Sequence, residues 1–116
     1  MNQREVIAFF NRCAPEWDAA NIRDDGKIGF ILDAAGIRPG CSVLDVACGT
    51  GVLFPDYLAR GVSRVTGVDI SPEMARIATA KLHDPCVEVL CGDVETVELP
   101  GRYDCCVVYN AFPHFE

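Results

Sequence analysis

Residues 43–51 most constrain how this chain can fold, because an apolar run there breaks into a turn with two glycines. The valines and the leucine of this run suit a buried strand, since strands covered on both faces are continuously apolar. Gly49 and Gly51 permit positive φ and leave room for a ligand to approach the backbone. The residues after Gly51 can begin a helix, whose first free N–H groups would face the same ligand. The stretch therefore predicts a strand that leads into a ligand-binding loop.

The composition predicts one folded domain. The chain has 116 residues, of which 50% are hydrophobic and 23% are charged, so a sizeable core is expected. Its formal net charge is −7, and no stretch concentrates Lys or Arg, which argues against direct contact with nucleic acid. No apolar stretch approaches the ~20 residues of a membrane span, and the first residues do not resemble a signal peptide. We therefore expect a cytoplasmic protein that binds neither nucleic acid directly nor membranes.

Seven cysteines require that a disulfide framework or a metal site be considered. No two of them have Cys-x-x-Cys spacing, and Cys86 and Cys91 lie close together without a second pair. Cys41, Cys48, Cys105 and Cys106 lie in or beside apolar, strand-like runs. We therefore predict free, mostly buried thiols and no metal.

Apolar periodicity and turn residues divide the chain into alternating helices and strands. Ser71, Pro72 and Glu73 are typical of a helix start, with an N-cap hydroxyl, a proline at N1 and an acid in the first turn. Residues 87–91 alternate and suit an edge strand, whereas residues 105–108 are continuously apolar and predict a strand covered on both faces. The predicted helices are 5–13, 28–35, 52–60 and 72–82, and the predicted strands are 41–47, 64–70, 87–91 and 103–109. This alternation predicts an open, mostly parallel α/β sheet with right-handed crossovers.

Four polar residues fall at or near the carboxyl ends of the predicted strands. They are Asp45, Asp69, Asp93 and Asn110. Ligands of open α/β sheets bind beyond these strand ends, near the point where the strand order reverses. Their shared position predicts one ligand site at this edge of the sheet.

The register of the loop separates two classes of ligand. The dinucleotide pattern Gly-x-Gly-x-x-Gly, placed on residues 47–52, would put Ala47 first and Val52 last, which is a poor match. The register Asp45-x-Ala47-x-Gly49-x-Gly51 instead resembles the acidic-x-Gly-x-Gly-x-Gly first motif of class I S-adenosylmethionine-dependent methyltransferases, with alanine in place of one glycine.

The resemblance to this family continues along most of the chain. Residues 68–74 resemble its second motif, residues 91–94 its third, and residues 103–111 its fourth strand and the exit from that strand. Phe9-Phe10-Asn11 and Trp17-Asp18 are similar to the N-terminal cap of many members that act on small molecules. Four motifs in the family's order are far more specific than the glycine loop alone.

The resemblance implies a Rossmann-like sheet with strand order 3-2-1-4, flanking helices and an N-terminal helical cap. Residues 1–40 would form the cap and residues 41–116 the cofactor-binding portion of one domain. The implied reaction is methyl transfer from S-adenosylmethionine, which becomes S-adenosylhomocysteine, to a small-molecule acceptor without a metal. The acceptor itself is not implied.

The resemblance also assigns roles to individual residues. Asp69 would accept hydrogen bonds from both ribose hydroxyls, Asp93 would bind the adenine amino group, and Ile70 would pack on the adenine ring. The N–H of Val94 would lie near a ring nitrogen, and Asp45 would orient the loop and meet the methionyl ammonium directly or through water. The implied cofactor-binding residues are Asp45, Ala47, Gly49, Thr50, Gly51, Asp69, Ile70, Met74, Asp93, Val94 and Asn110.

Structural alternatives stand beside these roles. Asp69 would also suit a helix cap beside Ser71, and Asp93 would also suit an ordinary turn. Asp45 would suit the N–H groups of its own loop equally well. Gly49 and Gly51 would also suit a tight turn without a ligand.

A catalytic base is optional in this chemistry, because holding the nucleophile and the methyl group together supplies most of the catalysis. His114 is the candidate base, since it leaves the fourth strand where family members meet their substrate, although a structural or solvated histidine is the alternative. The second histidine, His83, suits the end of a helix. The aromatic residues Phe9, Phe10 and Trp17 predict either a lid over the cofactor or ordinary packing of the first helix.

The sequence departs from the family at its end. Members continue past the fourth strand, whereas this sequence stops at Glu116, so we expect a piece that is incomplete at its C-terminus. The fourth strand would then have an open edge, which predicts self-association as a homodimer. Two other functions stay open: a module that binds S-adenosylmethionine without turnover, and an NAD-dependent oxidoreductase domain, which the loop register disfavours.

Overall fold

Four parallel strands form the centre of the computed structural model, which describes residues 2–17 and 24–109. The strands are β1 (Ser42–Val46), β2 (Arg64–Asp69), β3 (Val87–Cys91) and β4 (Cys105–Val108). They are arranged in the order β3-β2-β1-β4. The open parallel sheet and its strand order are therefore confirmed.

Within the described residues, four α-helices accompany the sheet, and side-chain caps begin three of them. They are α1 (Gln3–Cys13), α2 (Asp25–Ala34), α3 (Phe54–Ala59) and α4 (Pro72–Lys81), and a 3-10 turn (Ala14–Glu16) follows α1. The side chains of Asn2, Asp24 and Ser71 accept hydrogen bonds from backbone N–H groups in the first turns of α1, α2 and α4. None of these helices is long and apolar enough to cross a membrane, within the two ranges that the structure describes.

One hydrophobic core connects α2 and α3 with the sheet. Its largest fully buried side chains include Tyr57, Phe54 and Leu32, which pack with the buried Val43 of β1. In contrast, α1 contains no fully buried residue. The sheet and α3 therefore form the well-buried part of the fold, whereas α1 lies on its surface.

The faces of β4 differ from the prediction. Cys105 and Val107 are buried, but Cys106 and Val108 are exposed, so the expectation of two covered faces is wrong. The reason is that β4 is an edge strand, and no helix of the described residues covers this face. The predicted edge position of β3 is confirmed, and self-association through the open edge stays a prediction.

All seven cysteines are free, as predicted. The expectation that most of them are buried is wrong, because only Cys41, Cys48 and Cys105 are. Cys91 ends the edge strand β3 and Cys106 lies on the open face of β4, which explains why both are exposed.

Candidate functional site

The loop after β1 makes a sharp turn at the carboxyl end of the sheet. Ala47, Gly49 and Gly51 have positive φ angles of 55°, 59° and 78°. Ala47 is the one non-glycine residue with positive φ among residues 2–17 and 24–109. The N–H of Cys48 donates to the carbonyl of Val68 (3.0 Å), which ties the loop to β2. The predicted strand–loop arrangement is therefore present, and the backbone of the loop is fixed by its neighbour.

Asp69 holds the loop and the next helix together. Its Oδ2 accepts a hydrogen bond from the N–H of Gly49 (2.7 Å), and its Oδ1 accepts one from the N–H of Ser71 (2.9 Å). The residue is only 6% exposed. Burial raises the pKa of the carboxyl, and the two N–H groups oppose that rise. Two backbone N–H groups thus fix this carboxylate at the end of β2.

The start of α4 also contacts α1. The Ser71 hydroxyl donates to Asn11 Oδ1 (2.6 Å) and accepts from the N–H of Met74 (3.2 Å), and the N–H of Glu73 reaches the same Asn11 oxygen (3.3 Å). Asn11 therefore anchors α1 beside Asp69. Met74 is fully buried and presents no surface to a ligand in this conformation.

Asp45 lies beneath the loop with little access to solvent. It is 2% exposed and pairs in register with Gly67 of β2 and Val107 of β4. Burial is the main cause that raises its pKa to about 8; the adjoining Tyr57 hydroxyl lowers the pKa, and the negative charge of Asp69 adds a smaller rise. Tyr57 is fully buried, and its hydroxyl completes no hydrogen bond with the described residues. The Asp45 carboxyl and the Tyr57 hydroxyl are thus neighbours without a complete hydrogen bond between them.

Asp93 is less enclosed than Asp69. Its Oδ1 accepts from the N–H of Glu95 (2.9 Å), which is the contact of an ordinary turn, and its Oδ2 accepts from Nε2 of Gln3 (2.9 Å). The N–H of the preceding Gly92 donates to the carbonyl of Asp69 (2.9 Å), which joins the ends of β2 and β3. Ile70 and Val94 are half-buried nearby in the chain.

Aromatic side chains of the N-terminal segment reach the loop. The ring centroids of Phe9 and Phe10 are 5.3 Å apart, and those of Phe10 and Trp17 are 5.9 Å apart. Trp17 Nε1 lies 3.6 Å from the position that a Cβ atom of Gly49 would take. This aromatic cluster therefore lies against the glycine loop, which is compatible with both the lid and the packing hypotheses.

The structure describes most of the predicted site residues. Asn110 and His114 lie outside the described residues, whereas Asp45, Ala47, Gly49, Thr50, Gly51 and Asp69 come together. The sequence did not single out Gln3 or Tyr57. The burial of Tyr57 could have been predicted, because it is three residues from Phe54 and therefore lies on the same buried face of the helix.

A separate groove of about 400 Å³ lies between the end of α4 and the start of β3, lined among others by Leu82, His83 and Val87. It is at the amino ends of the strands, opposite the loop and Asp69. Within residues 2–17 and 24–109, no three His, Cys, Asp or Glu side chains are grouped so that they could hold a metal ion.

Comparison with known proteins identifies the family and the fold. A family model described as a methyltransferase domain matches residues 43–116. The chain is 32% identical to a malonyl-acyl-carrier-protein O-methyltransferase of Acetivibrio thermocellus, covering 99% of this chain and 42% of that protein. It is 30% identical to a ubiquinone biosynthesis O-methyltransferase of Bordetella parapertussis, covering 98% of this chain and 51% of that protein. The chain thus spans about half the length of these relatives.

Solved structures agree with this assignment. The DhpI–SAH complex matches with a TM-score of 0.71 and 25% identity, over 91% of this chain and 52% of that one. A methyltransferase from Thiobacillus denitrificans in complex with S-adenosyl-L-homocysteine shares the fold, with a TM-score of 0.66 and 20% identity over 86% of this chain and 43% of that one. With the glycine loop and Asp69 in the predicted places, the family match over residues 43–116 shows that the chain belongs to the class I S-adenosylmethionine-dependent methyltransferases.

Proposed function

We propose that this chain is the cofactor-binding portion of an S-adenosylmethionine-dependent methyltransferase that acts on a small molecule. The observation that carries the proposal is the position of Asp69, which joins the glycine loop, the end of β2 and the start of α4 through two hydrogen bonds. The bound cofactor would supply a methyl group on a sulfonium.

The carboxylate of Asp69 fits a ribose. Each carboxylate oxygen can accept two hydrogen bonds, and each is described with one, to Gly49 and to Ser71. One acceptor position is therefore left on each oxygen, which matches two adjacent hydroxyl donors. A helix cap alone would need only the Ser71 contact.

The adenine end would lie at the end of β3. Oδ2 of Asp93 already accepts from the amide NH₂ of Gln3, a donor similar in kind to the adenine amino group. Val94 and Ile70 would supply a backbone donor and an apolar surface. Gln3 must turn aside for this contact to form.

The methionyl end would lie along the loop. Gly49 presents its backbone without a side chain, and Trp17 Nε1 lies 3.6 Å from the position of its absent Cβ, so Trp17 must turn aside for a ligand to reach this backbone. Asp45 is buried on β1 just before the loop. The chain's own contribution to the reaction is to hold the methyl group in line with its acceptor and to exclude water. His114 as a base and Asn110 as a contact stay predictions.

A small-molecule acceptor is favoured over nucleic acid. The relatives named above act on malonyl-acyl-carrier protein and in ubiquinone biosynthesis, and the chain carries a net charge of −7. Because the chain spans about half of these relatives, a cofactor-binding module without turnover is the second candidate.

Titration calorimetry with S-adenosylhomocysteine and NAD tests the binding function. We expect binding of the first ligand and none of NAD, and we expect Asp69→Asn to weaken binding about 100-fold. The control is Asp104→Asn, because Asp104 also accepts from a backbone N–H (Ser42, 3.0 Å) but lies at the amino edge of the sheet. NAD binding, or equal effects of the two variants, would contradict the proposal.

Turnover separates the two candidates. A methyl-labelled donor, incubated with the chain and a panel that begins with malonyl thioesters and quinone precursors, should yield a labelled acceptor if the chain is a complete catalyst. Tight binding of S-adenosylhomocysteine without transfer to any acceptor would favour the binding module.

A further inference from the structure

Asp45 and Tyr57 form a buried polar pair that takes no part in the proposed ribose and adenine contacts. Asp69 is also buried, yet both its oxygens accept hydrogen bonds from backbone N–H groups. A polar neighbour of Asp45 is the Tyr57 hydroxyl, which adjoins the carboxyl but forms no complete hydrogen bond with any group in residues 2–17 and 24–109. A fully buried hydroxyl without a complete hydrogen bond is costly, so this pair requires an explanation.

The groups around the pair are acidic or neutral. Asp69 on β2 and the Cys48 thiol of the loop lie near Asp45 and interact with its charge. Cys106 on β4 pairs in register with Leu44 and lies on the opposite, exposed face of the sheet. Asp56 lies on α3 next to Tyr57. Among the described residues, no Lys, Arg or His affects the protonation of Asp45 or Tyr57. The site therefore lacks the positive charge that would favour an ionised Asp45.

We propose that Tyr57 is a positioning residue for the ammonium end of the cofactor. When the cofactor binds, the Asp45 carboxyl releases its proton, and the Tyr57 hydroxyl donates a hydrogen bond that holds the resulting carboxylate in place. The inference rests on the proposed function, because the ammonium group belongs to the methionyl part of the ligand. The proton passes from the Asp45 carboxyl to solvent, and the ligand brings its own positive charge.

The balance of charge in this buried site favours release of the Asp45 proton when the ligand binds. Without the ligand, Asp45 keeps its proton at neutral pH, since its pKa is about 8. A bound ammonium favours the carboxylate, as any opposite charge within a few ångströms does. Burial and the neighbouring acids raise the pKa of Tyr57 above its ordinary value, so its hydroxyl stays neutral and can donate. The hydroxyl thereby gains the complete hydrogen bond that it lacks.

Two ligands separate this inference from the rest of the site. S-adenosylhomocysteine carries the ammonium group, whereas 5′-methylthioadenosine has the same adenosine part without it. From about pH 6 to about pH 7, we expect the affinity for the first ligand to rise about tenfold and that for the second to stay level. Calorimetry at neutral pH in two buffers with different ionisation enthalpies should detect release of close to one proton for S-adenosylhomocysteine alone.

Tyr57→Phe tests the positioning role. It should weaken S-adenosylhomocysteine about tenfold at neutral pH, because the carboxylate loses its donor, and should leave methylthioadenosine unchanged. Tyr103→Phe is the matched control: its hydroxyl donates to Thr66 Oγ1 (2.8 Å), and its loss should affect neither ligand. An equal loss for both ligands in Tyr57→Phe would assign it a merely structural role and overturn the inference.

Asp45→Asn keeps the inference testable if Tyr57→Phe does not fold. This variant should remove both the proton release and the pH dependence of S-adenosylhomocysteine binding. Unchanged proton release would refute the inference while leaving the proposed function intact. By contrast, failure of the wild-type chain to bind either adenosine ligand would refute the proposed function itself.

Discussion

The ends of β2 and β3 carry the same residue type but are built differently. Asp69 is 6% exposed and accepts two backbone N–H groups, one from the loop and one from the start of α4. Asp93 is half-buried, with one oxygen on its own turn and the other on Gln3, which is 90 residues away. The ribose side of the proposed site is thus fixed by the sheet, whereas the adenine side depends on α1.

This difference follows from the position of each strand. β2 is an internal strand with neighbours on both sides, and five of its six residues are buried. β3 is an edge strand, and none of its residues is fully buried. We therefore expect changes near β2 to affect folding and binding strongly, and changes near β3 to adjust affinity.

The largest expected effect is the pH dependence of stability from Asp45. Its pKa is raised in the folded chain to about 8 from an ordinary value of 3.8, so between these values the folded state holds a proton that the unfolded state has lost. Stability should therefore fall as pH rises, by about 2–3 kcal/mol from about pH 6 to about pH 8. Urea unfolding at both pH values measures this, and Asp45→Asn should remove most of the slope. Stability that increases over this range would contradict the account.

Gly67→Ala tests how tightly the end of β2 is packed. A Cβ atom there would lie 2.7 Å from Cζ of Phe54 and 2.9 Å from Sγ of Cys48, so we expect a loss of about 2 kcal/mol in the free energy of unfolding. The control is Gly29→Ala in α2, where nothing lies within 4 Å and a gain of up to about 1 kcal/mol is expected. Equal effects in urea unfolding would mean that the side chains around β2 can shift to make room for the added methyl group.

Asp93→Asn should act more weakly than Asp69→Asn. We expect about a fivefold loss of affinity for S-adenosylhomocysteine, since one hydrogen bond in a half-buried place is altered. The variant should also lose the preference for this ligand over S-inosylhomocysteine, which lacks the amino group. A loss as large as that of Asp69→Asn would remove the distinction between the two strand ends.

Ala47→Gly should stabilise the chain by about 0.5–1 kcal/mol, because Ala47 has a φ of 55° that glycine adopts without strain. Thermal unfolding of the variant measures this gain. A loss of stability would show that the Ala47 methyl group packs favourably in the loop.

The smallest expected effect belongs to Gln3→Ala. If the Gln3 amide occupies the acceptor that adenine needs, its removal should raise the affinity for S-adenosylhomocysteine about twofold. Arg4→Ala, an exposed neighbour on α1, is the control for general loosening of that helix. A lower affinity in Gln3→Ala alone would indicate that Gln3 supports the site instead.

The sequence predicted the parts of the site that local chemistry determines. The apolar run before the glycines, and the acid of Asp69 before Ser71 and Pro72, give the strand, the loop and the helix start directly. The strand order followed from the family resemblance, and the structure agrees.

The remainder depends on contacts between distant parts of the chain. Nothing near Gln3 or Asn11 in the sequence indicates that they meet Asp93 and Ser71. The burial of Tyr57 against Asp45 likewise depends on how α3 packs on β1, and the exposed face of β4 depends on which elements cover it. Local patterns do not carry this information.

A crystal structure of the chain with S-adenosylhomocysteine would show directly whether Asp69 holds the ribose. We expect the ribose hydroxyls to lie within hydrogen-bond distance of the two Asp69 oxygens, with the hydrogen bonds to Gly49 and Ser71 intact. A ligand that binds elsewhere, or that displaces Asp69 from the loop, would contradict this expectation.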